Sequence, residues 1–175
     1  MAILVQTCLH EMARVYVSIG SNIEREANIR AAVQMLRDRF GPLTLSSVYE
    51  NQPIGFEGEN FYNLVAAFDT DEPPEAVTAI LHGIEQRLGR KRESSRFCSR
   101  TIDLDLLLYG DLVRHVAELR VPRPEITEYA CVLRPLAELA PGLTHPETGL
   151  NYAEMWGRFN NHTQPLTRVM MSLQD

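Results

Sequence analysis

The sequence is short of the signatures that usually place an unknown chain, and each absence narrows what it can be. Its three cysteines, Cys8, Cys98 and Cys131, lie far apart and form no CxxC pair. That excludes a disulfide framework and a thiolate zinc site, and it points to a reducing cytoplasm. There is no GxxxxGK[ST] loop, no GxGxxG after a strand and no HExxH, so the common phosphate-loop, dinucleotide and zinc-protease readings fail. His10, His82, His115, His145 and His162 are scattered and read as structural or surface residues. No apolar run approaches a membrane span. The opening MAILVQTCLHEM lacks the basic start and small-residue cleavage site of a secretion signal, so residues 1–11 read as an N-terminal extension, with Met12 an alternative start. A net charge of −6 argues against a general nucleic-acid surface, and no RNP-type aromatic motif is present to make one locally. Any anion-binding job must be confined to a small site.

What remains is an ordinary globular composition, 45% hydrophobic and 23% charged over 175 residues, enough for one domain with a sizeable core. RVYVSIG, from Arg14, alternates Val15, Val17 and Ile19 against Tyr16 and Ser18, which predicts a half-buried strand. Ile29, Ala32, Val33, Leu36 and Phe40 follow at helical spacing, closed by Gly41-Pro42. LTLSSVYE reads as a strand, NQPIGFEGEN as a loop and FYNLVAAFDT as another strand. Pro73-Pro74 opens a second helix, with Val77, Ile80, Leu81, Ile84 and Leu88 on one face and Gly89 at its end. A basic loop, GRKRESSRFCSR, leads to the strand IDLDLLLYG. The order β-α-β-β-α-β predicts an α+β, ferredoxin-like fold, an antiparallel sheet with helices packed on it. A mixed helical stretch after VPRPEI completes a single domain over residues 12–159, and residues 160–175 read as a loose polar tail.

RTIDLDLLLYG, from Arg100, carries the chemistry. Side chains alternate along a strand, so Ile102, Leu104, Leu106 and Leu108 share one face and Asp103 and Asp105 the other. Two neighbouring carboxylates repel, which favours a proton or a cation between them. They are either solvent-facing acids paired with nearby arginines or ligands for a hard metal ion. The loop before them holds Arg90, Lys91, Arg92, Arg96 and Arg100, five of the chain's 17 basic residues. Carboxylates flanked by guanidinium groups suit a Mg²⁺–nucleotide complex, metal on the acids and phosphate on the forks. A second wall, YENQPIGFEGENFYN, mixes aromatics (Phe56, Phe61, Tyr62) with amides (Asn51, Asn60, Asn63), which suits stacking and edge hydrogen bonds to a flat heterocycle as well as it suits an ordinary core-plugging loop. Gly20 in SIGSN marks a close backbone approach at a strand end.

In order along the chain, SIGSN, the loop from Tyr49, FYN, IEQRLGRKR, RTIDLDLLLYG and VLRPLAELAP resemble 6-hydroxymethyl-7,8-dihydropterin pyrophosphokinases of the folate pathway, from about Arg14 to Thr148. The resemblance implies transfer of pyrophosphate from ATP to the pterin hydroxymethyl group, with release of AMP. It implies two Mg²⁺ ions on Asp103 and Asp105, ATP contacts at Glu85, Arg92, Arg100, Leu106 and Arg123, and Arg90 on a mobile catalytic loop able to close over ATP. Gly20, Asn51, Pro53, Ile54, Phe61 and Asn63 match the pterin pocket, and Phe97 the position of a tryptophan that covers the ring. ATP and a pterin are then the partners, without nucleic acid or membrane, in a cytoplasmic monomer. The chain departs from the family pattern at Arg123, commonly histidine, at Tyr129, commonly arginine, and at Cys131, commonly phenylalanine. Those departures keep open a non-catalytic or altered-substrate relative that binds ATP or pterin and regulates a partner.

Overall fold

A computed structural model describes residues 12–90 and 99–173 of the chain. Strand β1 (Ala13–Ser21) is followed by helix α1 (Arg25–Phe40), whose stripe of Ile29, Ala32, Val33 and Leu36 is buried. Each fully buried Ile or Leu contributes on the order of 2 kcal/mol. Gly41 ends the helix at φ 81°, a conformation that glycine adopts without steric cost. The expected strand LTLSSVYE is split into β2 (Thr44–Leu45) and β3 (Val48–Asn51). The split has a local cause: the Ser46 hydroxyl accepts a hydrogen bond from the Val65 amide at 2.9 Å, while Ser47 donates from its amide and its hydroxyl to the Glu138 carboxylate. Serine side chains thus compete with the sheet ladder. Strand β4 (Phe61–Thr70), helix α2 (Pro74–Arg87) and strand β5 (Asp103–Tyr109) follow as expected, with Pro74 in the first turn of α2.

The strands lie in the order β5-β1-β4-β3, all antiparallel, with β2 beside β4, which is the ferredoxin-like arrangement. One face carries Val15, Val17, Ile19, Leu64, Ala66 and Phe68 against α1 and α2 and is apolar throughout. The opposite face is covered over only part of its length. Helix α4 (Ala130–Leu139) and helix α5 (Tyr152–Arg158) pack Leu133, Leu136, Tyr152 and Met155 onto Val65 and Leu107. Toward Gly20 that face is open.

Other features lie beyond the sequence expectations. A hairpin of β6 (Arg114–Val116) and β7 (Leu119–Val121), and a single helical turn α3 (Glu125–Glu128), precede α4. The stretch expected as a loose tail supplies strand β8 (Thr167–Val169), which pairs with β3 and extends the sheet. Arg30 and Arg37 of α1 donate to the carbonyls of Ser172 and Leu173, and Leu173 is buried in the core. The alternation read along β5 holds to Leu106 and then fails. The β1–β5 register shifts between Tyr16 and Val17, whose partners are Leu108 and Leu106. The bulge at Leu107 turns Leu107 and Leu108 both into the second core. Among the described residues, no helix is long and apolar enough to cross a membrane.

Candidate functional site

The open end of the sheet is the floor of a cleft of about 300 Å³. Strand register fixes its layout. Gly20 of β1 lies opposite Asn63 of β4 on one side and Asp103 of β5 on the other, so a neutral amide and a carboxylate stand two strands apart, roughly 10 Å. Glycine is required between them. A Cβ at Gly20 would sit 2.6 Å from the Asn63 side-chain oxygen. The close approach expected at SIGSN is therefore made by a side chain of the site itself.

On the carboxylate side, Asp103 and Asp105 both face the cleft, and arginines pair with both. Arg90 and Arg100 hold Asp103, with Arg90 at 2.5 Å, and Arg123 holds Asp105 at 2.9 Å. Arg123 also places its Nε 3.4 Å from the Glu125 carboxylate, with no hydrogen bond on that nitrogen. Burial, then the neighbouring Asp103 charge, pushes the Asp105 carboxyl up to about 7, against the pull of Arg123. The two acids thus stand side by side with arginine partners, and Asp105 holds its proton more readily than an ordinary carboxyl. Hard oxygen donors two residues apart on one strand face fit a divalent cation that completes its shell with water and phosphate oxygens. Among the described residues, no cluster of three His, Cys, Asp or Glu is present to hold a metal without such help.

On the amide side, the Asn63 side chain donates to the Asn51 side-chain oxygen at 2.6 Å. Phe56 and Phe61 meet edge to face at 6.2 Å, and with Ile54 they make a flat apolar wall. Tyr129, Cys131 and Val132 close the cleft from α4. Burial pushes the Cys131 thiol up to about 12, which favours its protonated form.

The expected residues divide into three groups. Gly20, Asn51, Ile54, Phe61, Asn63, Arg90, Arg100, Asp103, Asp105 and Arg123 come together in the cleft. Arg92 and Phe97, with Cys98 and the rest of residues 91–98 of the expected closing loop, lie outside the described residues. Glu85, Leu106 and Pro53 stand elsewhere. Glu85 is 2% exposed beneath β5, accepts from the Leu104 amide at 2.8 Å and pairs with Arg90, so it positions the charged wall from below. The Leu106 side chain belongs to the α1–α2 core, and Leu107 takes the place in the cleft. Pro53 lines a side recess of about 190 Å³ that shares Asn51, Ile54 and Cys131 with the cleft.

Sequence reasoning missed Ser21 and Asn22 as supports. The Asn22 side chain accepts from the Arg100 amide at 2.6 Å and donates to Ser99 and to the Glu59 carbonyl, tying the charged wall to the loop of the neutral wall. Ser21 donates to the Thr101 carbonyl. The signal was the polar pair that ends SIGSN at a strand terminus.

A charged row and a neutral stacking wall on one open sheet end define a transferase that brings a phosphorylated donor to a flat polar acceptor. A family model described as 7,8-dihydro-6-hydroxymethylpterin-pyrophosphokinase matches residues 16–141, and the chain belongs to that family of ATP-dependent pyrophosphokinases of folate biosynthesis. A 2-amino-4-hydroxy-6-hydroxymethyldihydropteridine pyrophosphokinase of Porphyromonas gingivalis is 39% identical over 142 residues, covering 78% of this chain and 96% of its own length. The protein of the same name from Pseudomonas aeruginosa is 38% identical over 141 residues, 77% of this chain and 85% of its own. A crystal structure of Plasmodium falciparum HPPK-DHPS shares the fold at a TM-score of 0.70 with 12% identity, over 90% of this chain and 47% of that longer one.

Proposed function

We propose that this chain transfers the pyrophosphoryl group of ATP to the hydroxyl of 6-hydroxymethyl-7,8-dihydropterin and releases AMP, with two Mg²⁺ ions held by Asp103 and Asp105. The observation that supports this reading is the register row Asn63–Gly20–Asp103, an amide and a carboxylate on either side of a residue with no side chain. The pterin edge bonds to the Asn51–Asn63 amide pair, and its ring lies against Phe61, with Ile54 and Cys131 around it. Its hydroxymethyl group then reaches over Gly20 toward the aspartates. Magnesium held by Asp103 and Asp105 would supply neutralisation of the phosphate charge for in-line attack of the hydroxyl at the β-phosphorus. Arg90, Arg100 and Arg123, held by the same carboxylates in the free protein, turn to the phosphate oxygens. Positioning and charge neutralisation carry the reaction, and no side-chain base is needed. Arg92 and Phe97 belong to the same reading, as does closure of their loop over ATP. The protein then works as a cytoplasmic monomer with no nucleic-acid partner.

The deciding experiment is AMP formation on mixing the protein with MgATP and 6-hydroxymethyl-7,8-dihydropterin, with pterin-free controls. Pterin-dependent AMP is the expected result. Folded protein that makes none, yet binds ATP or pterin in a titration, sinks the catalytic reading in favour of a binding-only relative.

A further inference from the structure

We propose that Gln164, on the C-terminal segment beyond the family match, is a positioning residue for the pterin subsite. This rests on the pyrophosphokinase reading above. Helix α4 has no side-chain cap of its own. Helix α4 begins at Ala130 after Tyr129, whose backbone is extended at φ −123° and ψ 125° and whose side chain accepts no cap bond. The amides of Val132 and Leu133 both donate to the Tyr129 carbonyl, but the Ala130 amide has no partner on its own helix. Gln164 supplies one: its Oε1 accepts from Ala130 at 2.8 Å. Its Nε2 donates to the Glu128 carbonyl, in the last turn of α3, at 3.0 Å. One amide side chain therefore spans the break between the two helices, and it holds in place the turn that carries Tyr129 and Cys131 to the cleft.

The same segment also holds the opposite side of the subsite. Thr167 pairs with Glu50, next to Asn51 at the end of β3, so the chain runs from Gln164 along the loop that carries Asn51 and Ile54. Thr163, Gln164, Pro165 and Leu166 form the outer wall of the side recess, whose inner wall is Asn51, Ile54 and Cys131. The segment is a brace between two walls of the pterin subsite. Its bonds go to the α3–α4 break and to β3, toward the sheet edge opposite β5, which carries Asp103 and Asp105. Its effect should therefore fall on pterin and leave ATP alone.

The test compares Gln164→Ala and Gln164→Glu with the parent protein, reading KM for pterin, KM for ATP, kcat, melting temperature and amide exchange at Ala130. Loss of a cap amounts to about a five-fold effect. Gln164→Ala is expected to raise the pterin KM about five-fold and speed exchange at Ala130, with the ATP KM unchanged within a factor of two. Gln164→Glu keeps the acceptor for Ala130 but loses the donor to the Glu128 carbonyl, so it should recover only part of the loss. An unchanged pterin KM, or both KM values rising together with a lower melting temperature, overturns the proposal. If the parent protein makes no AMP, the enzymatic reading has failed. The exchange of Ala130 then still decides whether Gln164 braces the turn, and a rate unmoved by Gln164→Ala overturns that too.

Discussion

The two walls of the cleft flank strand β1 in one sheet and are built on opposite principles. The amide wall is satisfied before any ligand arrives: Asn63 bonds to Asn51, the phenylalanines meet edge to face, and no charge is buried. The carboxylate wall is a temporary settlement. Asp103 and Asp105 are held by three arginines, and Asp105 is still protonated more readily than an ordinary acid. A preformed wall favours binding with little reorganisation. A wall of compensated charges changes partners when phosphate and metal arrive. The difference between them can be tested by breaking each alone.

The largest effect should come from the charged wall. Asp103→Ala and Asp105→Ala are each expected to cut turnover by about 10³-fold or more, since the metal site loses one of two carboxylates. Circular dichroism should show the fold intact, because both side chains face the cleft and not the core. Either variant remaining active at saturating Mg²⁺ would remove the metal role. Pterin binding in the same variants should be nearly unchanged, since Asn63 and Asn51 keep their bond.

The reverse experiment is Gly20→Ala. The added Cβ would meet the Asn63 oxygen at 2.6 Å, and that side chain is pinned by Asn51. Relieving the clash means breaking the amide pair, so the pterin KM should rise about tenfold, with stability lower by about 1–3 kcal/mol as in other overpacked sites. ATP binding measured with a non-hydrolysable analogue should hold. A variant with normal pterin KM would show that the amide pair does not read the ring.

A milder probe of the charged wall is pH. A carboxyl raised to about 7 keeps a proton in the folded protein that the unfolded chain releases near pH 4. The folded state then binds more protons, so between those values the metal-free protein loses stability as pH rises. Its melting temperature should be higher at pH 5.5 than at pH 8, and Asp105→Asn should flatten the trend. Metal needs the ionised form, so Mg²⁺ affinity should move the other way and increase up to about pH 7. A calorimetric titration giving equal affinity at pH 6 and pH 8 would contradict the assignment.

The sequence was legible where one residue's neighbours along the chain decide its place. The periodic stripes of α1 and α2, the alternation of β1 and the row of acids in RTIDLDLLLYG all translate directly into buried and open faces. It was opaque where a distant group decides. Nothing local tells that Ser46 will bond the Val65 amide and split a strand, or that a bulge will send Leu107 in place of Leu106 to the cleft. Glu85 matches an ATP-contact position by resemblance, yet the Leu104 amide and Arg90 draw it inward beneath β5. Strand β8 is short and largely exposed, so its order comes from pairing with β3, which no periodicity records.

The smallest predicted effect concerns a residue that belongs to neither wall. Cys131 contributes a protonated thiol to the cleft, where an aromatic ring would present a stacking face. The space for one exists, since the same residue borders the side recess of about 190 Å³. Cys131→Phe is therefore expected to tighten pterin binding by roughly 1 kcal/mol, about five-fold. The gain should appear in the dissociation constant for pterin alone and leave the ATP and Mg²⁺ dependence where they were. Fluorescence titration with the pterin settles the point. Unchanged or weaker binding would mean that the recess cannot take the ring without displacing Asn51, and that the amide wall, though preformed, has no slack for improvement.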